Sequence, residues 1–147
     1  LYSYLHVDEP PFFPGCEKKT DYDKRKCSLD LMDDYIKAHM IYPKQAKKKG
    51  YEGKAVIAYT INLDGSIEEI ELIRDLEYGC GEEALRIFQE LKASDLRFEP
   101  AQIDNRPVRV RNKTVVRFYL GQDAIFNPRI KESKAPEKKV KIKKNNY

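Results

Sequence analysis

The cysteines and histidines are the residues that could supply nucleophiles or metal ligands. They are Cys16, Cys27, Cys80, His6 and His39. Zinc sites place their ligands at short, regular spacings such as Cys-x-x-Cys. No such pair occurs, and neither histidine stands at ligand spacing from a cysteine. We therefore predict no metal site and no cofactor.

Paired carboxylates are the next candidates, because general acid–base chemistry at a glycosidic bond needs two convergent carboxyl groups. The three pairs in this chain are Asp33-Asp34, Glu68-Glu69 and Glu82-Glu83. Both members of each pair are adjacent in sequence, so their side chains point apart on a helix or strand. Glycine-rich phosphate loops and the Gly-x-Ser-x-Gly elbow are also absent from the sequence. An enzyme is therefore the least favoured class.

Cys16 and Cys27 bracket a very polar stretch that cannot hold itself by burial. A disulfide closing a loop of this length contributes about 3 kcal/mol in the chain-entropy description. We expect this bond, and with it an oxidising compartment; the alternative is two free cysteines in a reducing cytosol. Cys80 begins a helical pattern, where the helix dipole could stabilise a thiolate, but a small buried hydrophobe is the preferred interpretation.

The elements that position these residues begin with a proline-rich lead-in, so residues 1–27 are expected to be extended and irregular. Ser28 is the expected cap of the first helix. Apolar side chains then recur at three- and four-residue steps, at Leu29, Met32, Ile36 and Met40. Pro43 ends this helix, and a short second helix runs to a left-handed stop at Gly50.

The period of the apolar residues then changes to two, which is typical of strands. Lys54–Asn62 and Ser66–Arg74 are predicted to pair as antiparallel strands around an Asp64-Gly65 hairpin turn. A three-residue step between Ile67 and Ile70 indicates a β-bulge.

A helix and a final strand complete the pattern. The helix opens at Gly79, and its apolar face is formed by Ala84, Leu85, Ile87, Phe88 and Leu91. Val108–Leu120 alternates apolar and cationic residues, which predicts one face in the core. The order strand–strand–helix–strand predicts an α+β fold, with a small three-stranded antiparallel sheet and helices packed on one face.

The final strand is the best candidate for a binding surface. A strand that ends a small sheet is expected at an edge, where unpaired N–H and C=O groups can recruit another chain. Its outward cations are Arg109, Arg111, Lys113 and Arg117. They could select an acidic partner, or they could only discourage aggregation.

The positive charge of the chain is concentrated in its tail. The 147 residues carry a net charge of +4, and seven Lys and two Glu give residues 131–147 a net +5, which leaves −1 for residues 1–130. The tail is either solvated or an electrostatic tether to nucleic acid, anionic lipid or an acidic protein. Nucleic acid is not an expected partner, because no aromatic residue interleaves the lysines. The candidate tail contacts are Lys138, Lys139, Lys141, Lys143 and Lys144.

Seven short motifs resemble, in order and spacing, the TonB C-terminal domain family, in particular the energy transducers of Bacteroidetes-type bacteria. They are Pro11–Cys16, Tyr42–Ala46, Gly50–Gly53, Asp64–Ile67, Cys80–Arg86, Phe98–Ala101 and Pro107-Val108. The resemblance divides the chain into a lead-in with a cysteine loop at residues 1–27, a family-like domain at 28–120 and an extension at 121–147. Family members often carry Gly where Asn105 stands and Pro where Val115 stands.

The resemblance implies a periplasmic protein-binding module. In this family the domain takes up an extended segment of outer-membrane receptors, the TonB box, as an added strand and couples inner-membrane energy to transport. The docking strand here would be Val108–Leu120. The implied contact residues are Ile41, Tyr42, Pro43, Arg109, Arg111, Lys113, Val115, Arg117 and Tyr119.

The partner implied by the resemblance is an outer-membrane receptor or another envelope protein. No apolar run approaches the roughly 20 residues of a membrane-spanning helix. We therefore expect an anchor or export signal, and any contact with inner-membrane motor proteins, in a segment outside this chain. The alternative is a non-transducing structural or accessory subunit of an envelope complex, held through Gly121–Tyr147. A tether through the basic tail is the third hypothesis.

Overall fold

Two strands joined by a tight turn form one half of the sheet in the computed structural model, which describes residues 1–122. They are β2 (Gly53–Ile61) and β3 (Ile67–Arg74). Gly65 in the turn has φ +85°, and a Cβ there would lie 2.1 Å from the Phe98 carbonyl oxygen, so glycine is required both for the turn and for the close approach. The predicted hairpin is confirmed. The lysines predicted as tail contacts lie outside the described residues.

The predicted bulge in β3 is also present. The pairing of β2 with β3 shifts register between Ala58 and Thr60. Opposite this shift, Glu69 has φ +53°, the conformation of an extra residue in one strand.

The sheet has four strands, in the order β1 (Tyr2–Ser3), β6 (Val110–Phe118), β2 and β3. The added strand, β1 (Tyr2–Ser3), pairs in parallel with the start of β6 (Val110–Phe118), so the expectation of three antiparallel strands is corrected. A strand of two residues is too short to show the alternation of apolar and polar residues that predicts a strand from sequence. β6 pairs with β2 antiparallel over its full length, from Gly53 opposite Phe118 to Ile61 opposite Val110.

The predicted strand Val108–Leu120 is divided in the structure. Its first residue belongs to β5 (Arg106–Val108), which forms a separate hairpin with β4 (Ala101–Ile103). The turn of this hairpin has positive φ at Asp104 and Asn105, as expected for Asn in place of Gly. The core-facing alternation is confirmed, since Val110, Val116 and Phe118 are buried.

The first helix, α1 (Asp21–His39), begins seven residues before the predicted cap. Asp21 and Asp23 lie in its first turn, where acidic side chains oppose the positive end of the helix dipole. Ser28 is therefore not a cap but a buried residue within the helix. The polar stretch before Ser28 has no apolar period, and without that period a sequence pattern does not predict helical turns.

The buried face of α1 also differs from the predicted stripe. Ser28, Met32 and Ile36 are buried at four-residue steps, whereas Leu29 is 71% exposed. One residue turns the helix by about 100°, so burial of Ser28 carries Leu29 outward. Ser28 is retained at the buried position because its Oγ accepts a hydrogen bond of 2.7 Å from the Phe13 N–H.

The remaining helices agree with the sequence. They are α2 (Lys44–Lys48) and α3 (Cys80–Ala93). Phe88 on α3 and Ile57 on β2 are both fully buried, and the Phe88 ring lies 5.0 Å from that of Tyr59. Cys80 is free and buried. None of the helices in the described part of the chain is long and apolar enough to cross a membrane.

The lead-in is fastened to the domain at several points. Cys16 and Cys27 form the predicted disulfide. Phe12 pairs its backbone with Glu99, and the Phe13 ring packs edge-on against Phe98 at 5.5 Å. The segment before α1 is therefore part of the folded unit.

Alanine substitution on α1 tests the observed helix phase. Ile36→Ala should lower the free energy of unfolding by about 2–5 kcal/mol, because its side chain is buried in the core. Leu29→Ala should change it by less than about 0.5 kcal/mol, as for most surface positions. Denaturant unfolding followed by circular dichroism measures both values, and equal losses would contradict the phase.

Thiol counting by mass spectrometry tests the disulfide. Without reduction, iodoacetamide should add to no cysteine of the native protein and to Cys80 alone after unfolding, because Cys80 is the only free thiol among the three cysteines. Reduction before unfolding should raise the count to three. Three adducts on unreduced protein would show that Cys16 and Cys27 do not form a disulfide.

Candidate functional site

The two sides of β6 are distinguished by the direction of its backbone groups. Tyr2 donates its N–H to the Arg109 carbonyl oxygen at 3.0 Å, so the carbonyl of Arg109 points away from β2. Successive strand residues direct their N–H and C=O groups to opposite sides. The backbone N–H and C=O groups of the odd-numbered residues of β6 therefore point outward, and those of the even-numbered residues form hydrogen bonds with β2.

The β2–β3 hairpin supports the same assignment. Asn62 donates its N–H to Ser66, so the even-numbered residues at that end of β2 face β3 and the odd-numbered residues face β6. Tyr59 lies opposite Asn112, and Ile57 lies opposite Thr114. The residues of β6 whose backbone groups bond β2 are thus the even-numbered ones.

Strand β1 pairs only with the start of the outward side, opposite Val110 and Arg111, and the short 3-10 helix that follows it (Tyr4–His6) also lies near β6. Within residues 1–122, no other strand pairs with β6 on this side. Lys113 and Val115 consequently present their N–H and C=O groups at an edge of the sheet, and Val115 is 37% exposed. This stretch could accept an extended chain.

Two of the predicted contact residues are occupied by ion pairs across the sheet. Arg109 lies 3.0 Å from Glu68, and Arg111 lies 2.8 Å from Glu71. Arg111 also donates a 2.6 Å hydrogen bond to the Glu69 carbonyl oxygen. Both guanidinium groups reach across β2 to β3, so their charge is neutralised by the protein itself. Pairing across an intervening strand has no signature in sequence.

The other predicted residues of the strand differ among themselves. Lys113 is exposed and forms no ion pair with any other residue of the described range. Arg117 and Tyr119 are each engaged in an interaction of their own. Lys113 is therefore the cation of this strand with the greatest freedom to meet a partner.

The residues before α2 lie at the far end of β6. Tyr42 is buried, its ring packs edge-on against Phe118 at 5.7 Å, and its hydroxyl donates to the carbonyl oxygens of Phe118 and Tyr51. Ile41 is 53% exposed, and Pro43 is half-buried. The structure thus brings Tyr42 to the β6 strand, but for packing, and leaves Ile41 as the accessible side chain.

An ion pair that sequence reasoning did not identify holds this linker in place. Glu83 accepts two hydrogen bonds of 2.8 Å from Arg86 and one of 2.7 Å from the Ile41 N–H. Arg86 also donates to the carbonyl oxygen of His39 at the end of α1. Hydrogen bonding to Glu83 raises the pKa of Arg86. The three-residue spacing of Glu83 and Arg86 on a helix was the available signal.

The buried polar groups of the core are suited to packing rather than to reaction. Burial, and then the nearby charge of Glu83, raise the pKa of Cys80 to about 11, so its thiol stays protonated at neutral pH. Burial raises the pKa of Tyr59 to about 12, and its hydroxyl is hydrogen-bonded to Thr114 and Asn112. Residues 1–122 contain no group of three His, Cys, Asp or Glu side chains that could hold a metal ion.

Comparison with known proteins gives one family. A family model described as the C-terminal region of the Gram-negative bacterial TonB protein matches residues 38–120, more than half of the chain. No curated protein matches significantly.

Solved structures of the same kind of domain are similar to this chain. The NMR solution structure of a longer fragment of the Helicobacter pylori TonB C-terminal domain is 21% identical, with 71% of this chain and 88% of that chain covered and a TM-score of 0.48. A shorter fragment is 22% identical, with 63% and 92% covered and a TM-score of 0.49. The Pseudomonas aeruginosa domain is 23% identical, with 54% and 78% covered and a TM-score of 0.36.

Proline substitution tests the assignment of the two sides of β6. Val115→Pro removes an outward N–H and should leave the fold stable, whereas Thr114→Pro removes an N–H bonded to β2 and should cost about 1–3 kcal/mol more in unfolding free energy. Thr114→Ala is the control for loss of the Thr114 hydroxyl. Thermal or denaturant unfolding measures the difference. A greater loss for Val115→Pro would reverse the assignment.

Proposed function

Because the chain belongs to the family of Gram-negative bacterial TonB protein C-terminal domains, we propose that it docks an extended segment of an outer-membrane receptor by strand addition. The incoming segment would lie along the outward side of β6, beyond β1. The domain would thereby link the receptor to an energy source at the inner membrane.

The observation that carries this proposal is the outward edge at Lys113 and Val115. Main-chain hydrogen bonds supply most of the affinity when a strand is added to a sheet, and alternate side chains supply specificity. Within the described residues, β1 leaves this edge unpaired after Arg111. The parallel pairing of Tyr2 and Ser3 beside the same strand supports the view that this side accommodates an extended chain.

A periplasmic location is the second part of the proposal. The Cys16–Cys27 disulfide is of the kind that persists in an oxidising compartment, which the periplasm is. Family membership points to the envelope of a Gram-negative bacterium. Exposed Ile41, close to the Phe118 end of β6 through Tyr42, would contact the segment as it leaves the sheet.

Titration with a receptor peptide tests docking at this edge. The probe is a synthetic peptide copied from the N-terminal segment of an outer-membrane receptor of the same bacterium. Lys113→Pro should weaken its binding at least about tenfold, since one outward donor is lost and its partner carbonyl is left unpaired. Lys113→Ala keeps the N–H and should lose much less affinity.

The outcomes separate two roles for the domain. If Lys113→Pro is folded and binds the peptide as the wild type does, this edge is not the docking site. A structural or accessory subunit held through Gly121–Tyr147 would then be the better account, and isothermal titration with the intact envelope partner would locate the contact.

A further inference from the structure

A cleft of about 470 Å³ opens beside the outward edge of β6. Its lining includes residues 111–114 of β6 and residues 10–13 of the lead-in. Leu29 on α1 also lines it, together with the buried rings of Tyr59 and Phe98. The cleft is thus continuous with the edge at which we place the docked strand.

Part of the cleft lining is apolar and accessible. Leu29 is 71% exposed and Leu5 is 82% exposed, and both line the cleft. Neighbouring exposed apolar side chains in a concave surface are typical of binding sites. Pro10 and Pro11 have no N–H to donate, so the lead-in offers packing surface rather than a competing strand edge. A strand bonded to β6 would direct every second side chain toward this surface.

Two cations line the cleft. Arg25 and Lys113 line it and form no ion pair with any residue of the 1–122 range. Their neighbours are neutralised, because Lys24 lies 2.7 Å from Glu99 and Arg111 is paired to β3. Unpaired cations favour acidic residues in the partner.

The lead-in wall of the cleft is held in place before any ligand arrives. The Cys16–Cys27 disulfide and the Phe13–Ser28 hydrogen bond of 2.7 Å join it to α1. Phe12 donates its N–H to the Glu99 carbonyl oxygen at 3.1 Å. A rigid wall loses little conformational entropy on binding, which favours affinity.

We propose that this cleft is a side-chain pocket that selects extended segments carrying a bulky apolar residue flanked by acidic residues. Its occupant is a segment of the partner protein docked along β6, so the inference rests on the proposed strand addition. The walls at Pro10, Arg25 and Leu29 lie upstream of the family match at residues 38–120. The pocket is therefore built partly by the lead-in and α1, outside the matched region.

Peptide affinities for the full chain test the pocket. The probes are seven-residue, end-capped peptides of Thr with Glu at both ends, in which Phe or Ala occupies each of the three central positions in turn. At the central positions whose side chains point into the cleft, the peptide with Phe should bind about tenfold more tightly than the peptide with Ala, as expected for partial burial of an aromatic side chain. Leu29→Ala should reduce this ratio to about twofold or less.

Matched variants separate the pocket from general effects. Ile73→Ala removes another exposed apolar side chain, 47% exposed on β3, and should leave the ratio unchanged. Arg25→Gln should weaken binding of the Glu peptides about threefold or more while leaving peptides with Gln at both ends unaffected, and high salt should abolish the difference.

The outcomes distinguish failure of the pocket from failure of strand addition. Equal affinities for Phe and Ala peptides, with binding still lost in Lys113→Pro, overturn the pocket alone. Binding that survives in Lys113→Pro overturns strand addition and the pocket with it, and so does failure of every peptide to bind. If Leu29→Ala binds the peptides more tightly than the wild type does, another segment of this chain occupies the cleft and competes with them. A fall in molar mass in that variant would assign it to a second copy, and either result overturns the proposal.

Discussion

The antiparallel pairing of β2 with β6 is the interaction on which the rest of the structure depends. Its nine residue pairs place Val110, Val116 and Phe118 in the core on the face covered by α3. The same pairing uses the even-numbered backbone groups of β6 and turns the odd-numbered groups outward. A slip of one residue would both expose the core side chains and reverse the outward edge. The packing of the core and the direction of the outward backbone groups are therefore fixed together.

The lead-in and α1 add a second layer to this arrangement. The family match starts at residue 38, yet the disulfide, the Phe13–Ser28 hydrogen bond and the Phe12–Glu99 pairing make the upstream segment part of the same folded unit. These links set the cleft wall at a fixed place beside β6. In the proposed docking, the edge would supply hydrogen bonds that any sequence can make, and the wall would supply side-chain contacts that only some sequences can make. Affinity and specificity would then come from different parts of the chain.

Local patterns in the sequence predicted the parts of the fold that local physics determines. The alternation in β2, the hairpin at Asp64-Gly65 and the apolar face of α3 were all correct, because burial imposes a period on each. The start of α1 at Asp21 was missed, since a polar stretch anchored by a disulfide needs no apolar period. Strand β1 and the Arg109–Glu68 pair were also missed, because each depends on a distant neighbour. The predicted strand Val108–Leu120 contains β6, but the sequence could not tell which of its cations were already neutralised.

Amide hydrogen exchange in the full chain, measured by NMR with and without a saturating receptor peptide, tests the central claim most directly. In the free protein, the N–H groups of Asn112 and Thr114 should exchange slowly because they bond β2, and those of Lys113 and Val115 should exchange faster. The account predicts that the peptide slows exchange at Lys113 and Val115 at least about tenfold and leaves the even-numbered residues unchanged. Saturation by the peptide without any slowing at Lys113 and Val115 would contradict docking along this edge.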